Sequence, residues 1–503
     1  MKKILFSIAF FSTVYLSAQT VIVEEKFEEK NVPVTFQYLP NSKKFVIFKG
    51  YPIKMTLSFM TTSGFSYDID GKKSTLFENE KFVSPTFSVT ENSYKTYDAT
   101  KFTMKPSYKF FINNNAQPVS HDALDDLNSN YFGRYDYNNI LCSVTMRWPN
   151  MPFNASFNDI YDFGFTNQKQ KDNIDFEKDD IFLETIEIKS NTRKRVKLDK
   201  PSLALLKGDD FAKFDLKTSF TSKLNGNDNF DIITKSVSAD FKTSILYKTT
   251  FDFEGKKIKE LVLTMNFNDK KFIQSDNSGG PKDFNSTMAT PSYPFSVVYV
   301  KLGALSINHY FEDRINGDIY VYGIFRDEAK KVEGRGPSPK GFYVFKFDKE
   351  GKKLWESINN IENKDFLDKI TDYSKLQINL LEFNDKLLFS VSVNDFTEFS
   401  NATTVNKSTG AISKISFIEY NNNTSKLKDR EFITNSYVSD IKNKVFSQLT
   451  FVGMIASPNV EKYIKNVPSN GNRLYYETVF SDQGIWLVET DNEKYYKVLL
   501  FKD

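Results

Sequence analysis

Two histidines and one cysteine narrow the chemistry that this chain can carry. His121 and Asp122 are adjacent, so on a strand their side chains point to opposite faces and do not form a dyad. His309 sits in Ile307-Asn308-His309-Tyr310-Phe311, a strand-like run with no second His or Cys at metal-ligand spacing. Cys142 lies in the alternating run Ile140-Leu141-Cys142-Ser143-Val144, which reads as a buried, unreactive thiol. A single cysteine also rules out an internal disulfide. The chain has no Gly-x-Ser-x-Gly elbow, no phosphate-binding glycine loop and no His-Glu-x-x-His. No catalytic, cofactor or metal residue is therefore assigned. Paired carboxylates for glycoside cleavage stay open, because their separation in space decides the matter and sequence does not give it.

Two charged runs need weighing. Asp68-Ile69-Asp70-Gly71 begins like a calcium loop, but Lys72 and Lys73 follow where cations oppose a divalent ion. A hairpin tip is the preferred reading. Arg193-Lys194-Arg195-Val196-Lys197 leads into a strand and reads as a solvated sheet edge, where basic side chains discourage pairing with another chain.

The elements that would position such residues are strands. The 49 Phe and 26 Tyr favour pleated, half-buried surfaces. Alternating runs recur between turn residues, as in Lys44 to Phe48, Asp318 to Gly323 and Lys386 to Val391. Helix is expected only around Asp122 to Leu127 and Asp365 to Ile370, a turn or two each.

One motif occurs three times: Tyr67-Asp68-Ile69-Asp70-Gly71-Lys72-Lys73, Phe251-Asp252-Phe253-Glu254-Gly255-Lys256-Lys257 and Phe347-Asp348-Lys349-Glu350-Gly351-Lys352-Lys353. Acidic-Gly at a strand junction supplies the positive φ of a tight hairpin, so Gly71, Gly255 and Gly351 are read as structural hairpin tips. They lie 184 and 96 positions apart, which divide into units of about 46 to 48, within the period of propeller blades. Weaker turns of the same kind are Asn406 to Gly410, Asn421 to Thr424 and Asp491 to Lys494.

The stretch Asn316-Gly317-Asp318-Ile319-Tyr320-Val321-Tyr322-Gly323, followed by Gly341 to Asp348 and Lys353-Leu354-Trp355, resembles the repeat of bacterial exported β-propeller proteins. The resemblance covers residues 316–355 and implies a binding or scaffolding fold rather than an activity. The expected fold is all-β, a single β-propeller of about seven or eight blades with long loop insertions. Tandem β-sandwich domains split near Lys200-Pro201 are the alternative. Thr20 to Phe27 is expected to close the ring by joining the last blade near Gly484 to Phe501.

Lys2 and Lys3, the apolar run Ile4 to Leu16 and the small residues Ser17 and Ala18 form a signal peptide over residues 1–19, leaving 20–503 as the propeller domain. The apolar run spans about 13 residues, too few to cross a bilayer, and no later stretch is long enough. No Cys follows it to carry a lipid. With 67 basic and 64 acidic residues the near-neutral charge suggests neither a nucleic-acid binder nor a binder of strongly anionic membranes, and no nucleic-acid partner is expected. Two loop insertions stand out, Gln274 to Pro294 and Arg326 to Lys340; in the second, Arg326, Arg335, Gly336 and Pro337 are the candidate binding residues. The expectation is a monomeric, exported, non-enzymatic binding or scaffold protein of the cell envelope with no cofactor. It would be periplasmic or at the cell surface, with an envelope or outer-membrane protein as partner. A secreted propeller-type hydrolase acting on glycans is the alternative.

Overall fold

In a computed structural model, the chain is described over residues 19–26, 32–39, 42–52, 59–83, 243–267, 310–313, 315–325, 340–369, 376–394, 397–421, 423–428, 437–491 and 494–502. Between 86 and 237 it is described at the strands named below and at 198–199. Among these residues strands dominate and form seven sheets.

The chain enters through β1 (Gln19–Lys26) and then builds four-stranded antiparallel sheets in sequence order. The first comprises β2 (Val32–Leu39), β3 (Lys44–Pro52), β4 (Phe59–Tyr67) and β5 (Lys73–Val83). The second comprises β6 (Thr86–Val89), β7 (Ser93–Asp98), β8 (Ser107–Ile112) and β9 (Val119–His121). The third holds β10 (Tyr131–Tyr137), β11 (Ile140–Arg147), β12 (Asp180–Glu187) and β13 (Arg193–Lys197). The fourth holds β14 (Phe220–Asn225), β15 (Asn229–Val237), β16 (Thr243–Asp252) and β17 (Lys257–Asn266). The fifth is β18 (Tyr310–Glu312), β19 (Ile319–Phe325), β20 (Gly341–Phe347) and β21 (Lys353–Asn360).

The sixth sheet is larger, with β22 (Leu376–Phe383), β23 (Lys386–Asn394), β24 (Thr397–Val405), β25 (Ser416–Asn421), β26 (Lys426–Lys428) and β27 (Tyr437–Asp440). The last contains β28 (Lys444–Phe446), β29 (Leu474–Ser481), β30 (Gly484–Thr490) and β31 (Tyr495–Phe501), and its outer strand is β1. β1 pairs antiparallel with β31 from Gln19↔Phe501 to Lys26↔Tyr495, so the two ends of the chain share one sheet.

Side chains that alternate along each strand explain how the sheets stack. On β19, Ile319 and Val321 pack against Leu246 and Leu263 of the fourth sheet. The intervening Tyr320, Tyr322 and Ile324 pack against Phe389 and Val391 of the sixth. The last sheet is likewise covered on both faces. Ile485 and Leu487 meet the sixth sheet, and Trp486 and Val488 meet Tyr38, Phe45 and Ile47 of the first. Each such side chain contributes about 1.5–3 kcal/mol when removed from water. Two separate sandwiches would bury one face of each sheet; here these sheets bury two.

Among the described residues three helices interrupt the strands. α1 (Lys364–Lys369) falls where helix is expected, whereas Asp122 to Leu127 lies outside the described residues. The helix pair α2 (Gln448–Ala456) and α3 (Pro458–Asn466) corrects the expectation that helix is confined to two short loop decorations. Its start is written locally. Ser457 caps α3 by accepting from Val460 N, with Pro458 in the first turn and an acidic Glu461 following. At the start of α2 the Ser447 side chain makes no cap hydrogen bond to the backbone, and the helix is held by packing, with Thr450 to Ile455 all buried.

Candidate functional site

Gly71, Gly255 and Gly351 occupy the hairpin between the third and fourth strands of the first, fourth and fifth sheets. In each, the Gly N–H donates to the Asp carbonyl at 2.9–3.1 Å. The Asp carboxylate accepts two backbone N–H groups, which for Asp68 are those of Asp70 at 3.0 Å and Lys72 at 2.8 Å. Asp252 and Asp348 repeat the pattern. The Asp68 side chain thus closes its own turn. The glycines adopt φ of +80°, +86° and +87°, the left-handed region.

Each tip also touches the outer strand of the preceding sheet. A Cβ on Gly71 would lie 2.4 Å from Ile22 O of β1; on Gly255, 2.5 Å from Val196 Cγ1 of β13; on Gly351, 3.4 Å from Leu263 Cδ2 of β17. The weaker copy at Asn406 to Gly410 stands in the same place in the sixth sheet, against Trp355 of β21. The other two weaker copies, Asn421 to Thr424 and Asp491 to Lys494, include residues outside those described.

The remaining sequence candidates do not come together with these. Arg326, Arg335, Gly336 and Pro337 lie outside the described residues, as do His309 and the insertion Gln274 to Pro294. His121 ends β9, Cys142 is in β11, and Arg193 to Lys197 form β13 at the edge of the third sheet.

A cleft that the sequence reading missed lies beside the helix pair. β28 brings Lys444 under α3, where its ammonium donates to Ile464 O and to Lys465 O at 3.4 Å, satisfying carbonyls of the last turn. Burial lowers the Lys444 pKa, and the negative charge of Glu489 opposes that shift. α3 then stands over the outer half of the last sheet, with Tyr463 edge-on to Phe501 at 5.9 Å. Between them opens a cleft of about 940 Å³, within the size range of ligand sites.

Glu489 of β30 forms the floor of this cleft and is 2% exposed. The Tyr495 hydroxyl donates to its Oε1 at 2.8 Å. Its Oε2 and the Tyr476 hydroxyl are both buried without a well-formed hydrogen bond among the described residues. Burial first, and then the Glu489 charge, raise the phenols of Tyr463, Tyr476 and Tyr495 well above their ordinary range. All three remain protonated donors. Lys26, Lys494 and Lys497 stand at the rim, where Lys497 pairs with Glu24 at 3.3 Å. The arrangement can hold a polar group by tyrosine hydroxyls and attract negative charge by its lysines. Period-2 alternation in Tyr495-Tyr496-Lys497 was a legible signal for one face, but its meeting with α3 was not.

No protein-family profile matches the chain, and no curated protein matches it. Among solved structures it is similar to YCF48 from Cyanidioschyzon merolae, with TM-score 0.36 and 7% identity over 96% of this chain and 98% of that one. It is also similar to the β-propeller domain of the Trilobed protease from Pyrococcus furiosus, with TM-score 0.30 and 6% identity over 81% and 99% of the two chains. A third likeness is to Pyrococcus horikoshii acylaminoacyl peptidase, with TM-score 0.30 and 10% identity, covering 91% of this chain and 57% of the peptidase. The chain therefore spans little more than half of that enzyme. Likenesses this weak carry no argument about activity.

Proposed function

We propose that this chain is an exported, seven-bladed β-propeller that binds a protein partner of the cell envelope, with residues 1–19 as its signal peptide. Sheets of four consecutive strands stacked face to face support the propeller, as does the N-terminal strand completing the last sheet. Cleavage after Gln19 leaves Thr20 onward paired with β31, so the mature chain keeps its closing strand. A periplasmic location fits a soluble fold that begins with a leader, and a surface location is compatible with the same features.

The binding role rests on one observation: the helix pair breaks an otherwise repeating strand array and builds an open cleft with tyrosine donors and a lysine rim. An acidic segment of an envelope protein suits that chemistry. Arg326, Arg335, Gly336 and Pro337 are proposed as a second contact.

Copurification from the native envelope tests the reading. Wild-type protein should recover a partner, and the double variant Lys26→Glu, Lys494→Glu should recover less of it, since both side chains are exposed and the fold should be untouched. Equal recovery moves the interface away from the cleft, with deletion of 326–340 as the next test. The glycan-hydrolase alternative would be favoured by turnover on a glycoside panel that is lost on removing one carboxylate of a pair.

A further inference from the structure

The opposite face of the last sheet carries a second, smaller pocket. It lies where the last sheet meets the first, because β29 runs beside β2 there. Phe36 of β2, Phe446 of β28, and Tyr475 and Glu477 of β29 line it, with Val488 and Thr490 of β30 behind them. Val488 and Thr490 are the cross-strand partners of Glu477 and Tyr475, so one register places the carboxylate beside the phenol. The pocket encloses about 220 Å³, below the roughly 300 Å³ at which drug-sized sites begin, so it suits a single headgroup.

We infer that this pocket is a recognition site for a protonated amine, held between the Phe36 and Tyr475 rings and the Glu477 carboxylate. Aromatic faces attract cations through their quadrupole, and a carboxylate within the same enclosure supplies the counter-charge. Glu477 is half-buried and, among the described residues, no cation lies within ion-pair distance of it. Burial alone shifts its carboxyl upward, the state of an acid that lacks a positive neighbour. The Tyr475 ring already takes a cation: the Arg473 guanidinium, just ahead of β29, lies 5.7 Å from its centroid. An amine entering the pocket would meet the same ring together with a carboxylate. This site lies on the other face of the sheet from the Glu489 cleft, so it stands whether or not that cleft binds a partner.

Calorimetric titration of the folded mature protein with n-butylammonium chloride tests the inference, with n-butanol as the neutral analogue of the same shape. Saturable binding of the ammonium and none of the alcohol is expected. Glu477→Gln, nearly isosteric, should weaken binding by about tenfold or more, the size of one charge-supported contact. Tyr475→Leu should weaken it as well, with far-ultraviolet circular dichroism unchanged in both variants. Arg473→Ala should bind as well or better, since the guanidinium competes for the ring. Absence of saturation, equal binding of the alcohol, or a Glu477→Gln variant as tight as wild type would each overturn the assignment. So would loss of binding in Arg473→Ala, because a helpful cation there would mean an anionic ligand.

Discussion

Two glutamates at two joints of the molecule, Glu25 half-buried and Glu398 buried, have opposite surroundings. Glu25 lies in β1 where the last sheet meets the first. Its carboxylate accepts from Lys49 at 2.5 Å, from Lys73 at 3.0 Å and from the Tyr67 hydroxyl at 2.9 Å. Tyr67 in turn shares a 2.6 Å hydrogen bond with Tyr496. Burial pushes the Glu25 carboxyl up, but these donors outweigh it and hold the group at about 2. Lys49 also stacks on Phe65 and Tyr496, at 4.8 and 4.3 Å from the ring centres.

Glu398 lies in β24 of the sixth sheet, on which α2 packs, and is 3% exposed. Its partner is a hydroxyl: Ser400 donates to it at 3.1 Å, and Ser400 and Ser392 are 2.8 Å apart. Burial pushes this carboxyl up to about 8, and the Ser400 and Gln448 side chains oppose the shift only in part. The closing joint thus uses a charged group to pin a strand that arrives from the far end of the chain. The helix-bearing joint carries a neutral acid in a polar seam. A charge stays ionised in the interior only where cations come with it.

The largest effect should come from removing β1 altogether. Starting the chain after Lys26 exposes the β31 edge and uncovers Tyr67 and Tyr496, so loss of cooperative melting and association through the bare edge are expected in calorimetry and size-exclusion chromatography. A monomer with unchanged melting would show that the terminal pairing contributes little.

Glu25→Ala comes next. It leaves Lys49, whose side chain is 8% exposed, without its carboxylate, at a cost of about 3 kcal/mol by denaturant unfolding. Because the folded-state pKa of Glu25 is depressed, its contribution is present above the ordinary 4.5 and is lost as pH falls from there toward 2. The acid-side slope of stability should flatten in the variant.

Glu398→Gln should act in the opposite pH range. The folded-state pKa is raised, so wild-type stability should fall as pH rises from about 4.5 to about 8. The amide variant should lose that slope and melt higher than wild type at pH 9, with little difference at pH 4. An identical slope in both proteins would show that Glu398 is ionised in the fold.

The smallest effects distinguish the two kinds of joint at matched turns. Gly351→Ala should cost about 1 kcal/mol from positive φ alone, since its added methyl meets Leu263 at ordinary contact distance. Gly71→Ala should cost more in the same unfolding assay, because the methyl runs into Ile22 O of the closing strand. Equal costs would mean that β1 yields freely.

Much of the strand framework was legible because its causes are local. Alternation in Asp318 to Gly323 follows from the two-residue pleat, and Gly351 and its counterparts are required by a φ that other residues adopt with strain. The Asp-x-acidic-Gly-Lys turn closes on its own backbone, so it reads the same in all three places. The start of α3 is written at Ser457-Pro458, but α2 ahead of it is mostly apolar and shows no amphipathic period, so the pair carries no continuous helical signature in the sequence.

What joined distant residues was decided by tertiary structure. Nothing near Glu25 in sequence announces Lys49, Lys73 and Tyr67 as its partners, and nothing near Glu489 announces Tyr463. Glu477 and Phe36 come from opposite ends of the chain. The sequence by itself determined where strands alternate and turn, since those depend on neighbours a few residues apart. Which carboxylate is paired, which is neutral and which lines a pocket depended on the register of β1 against β31, on α2 packing on the sixth sheet and on α3 settling over the last, contacts that only the folded chain brings within a few ångströms.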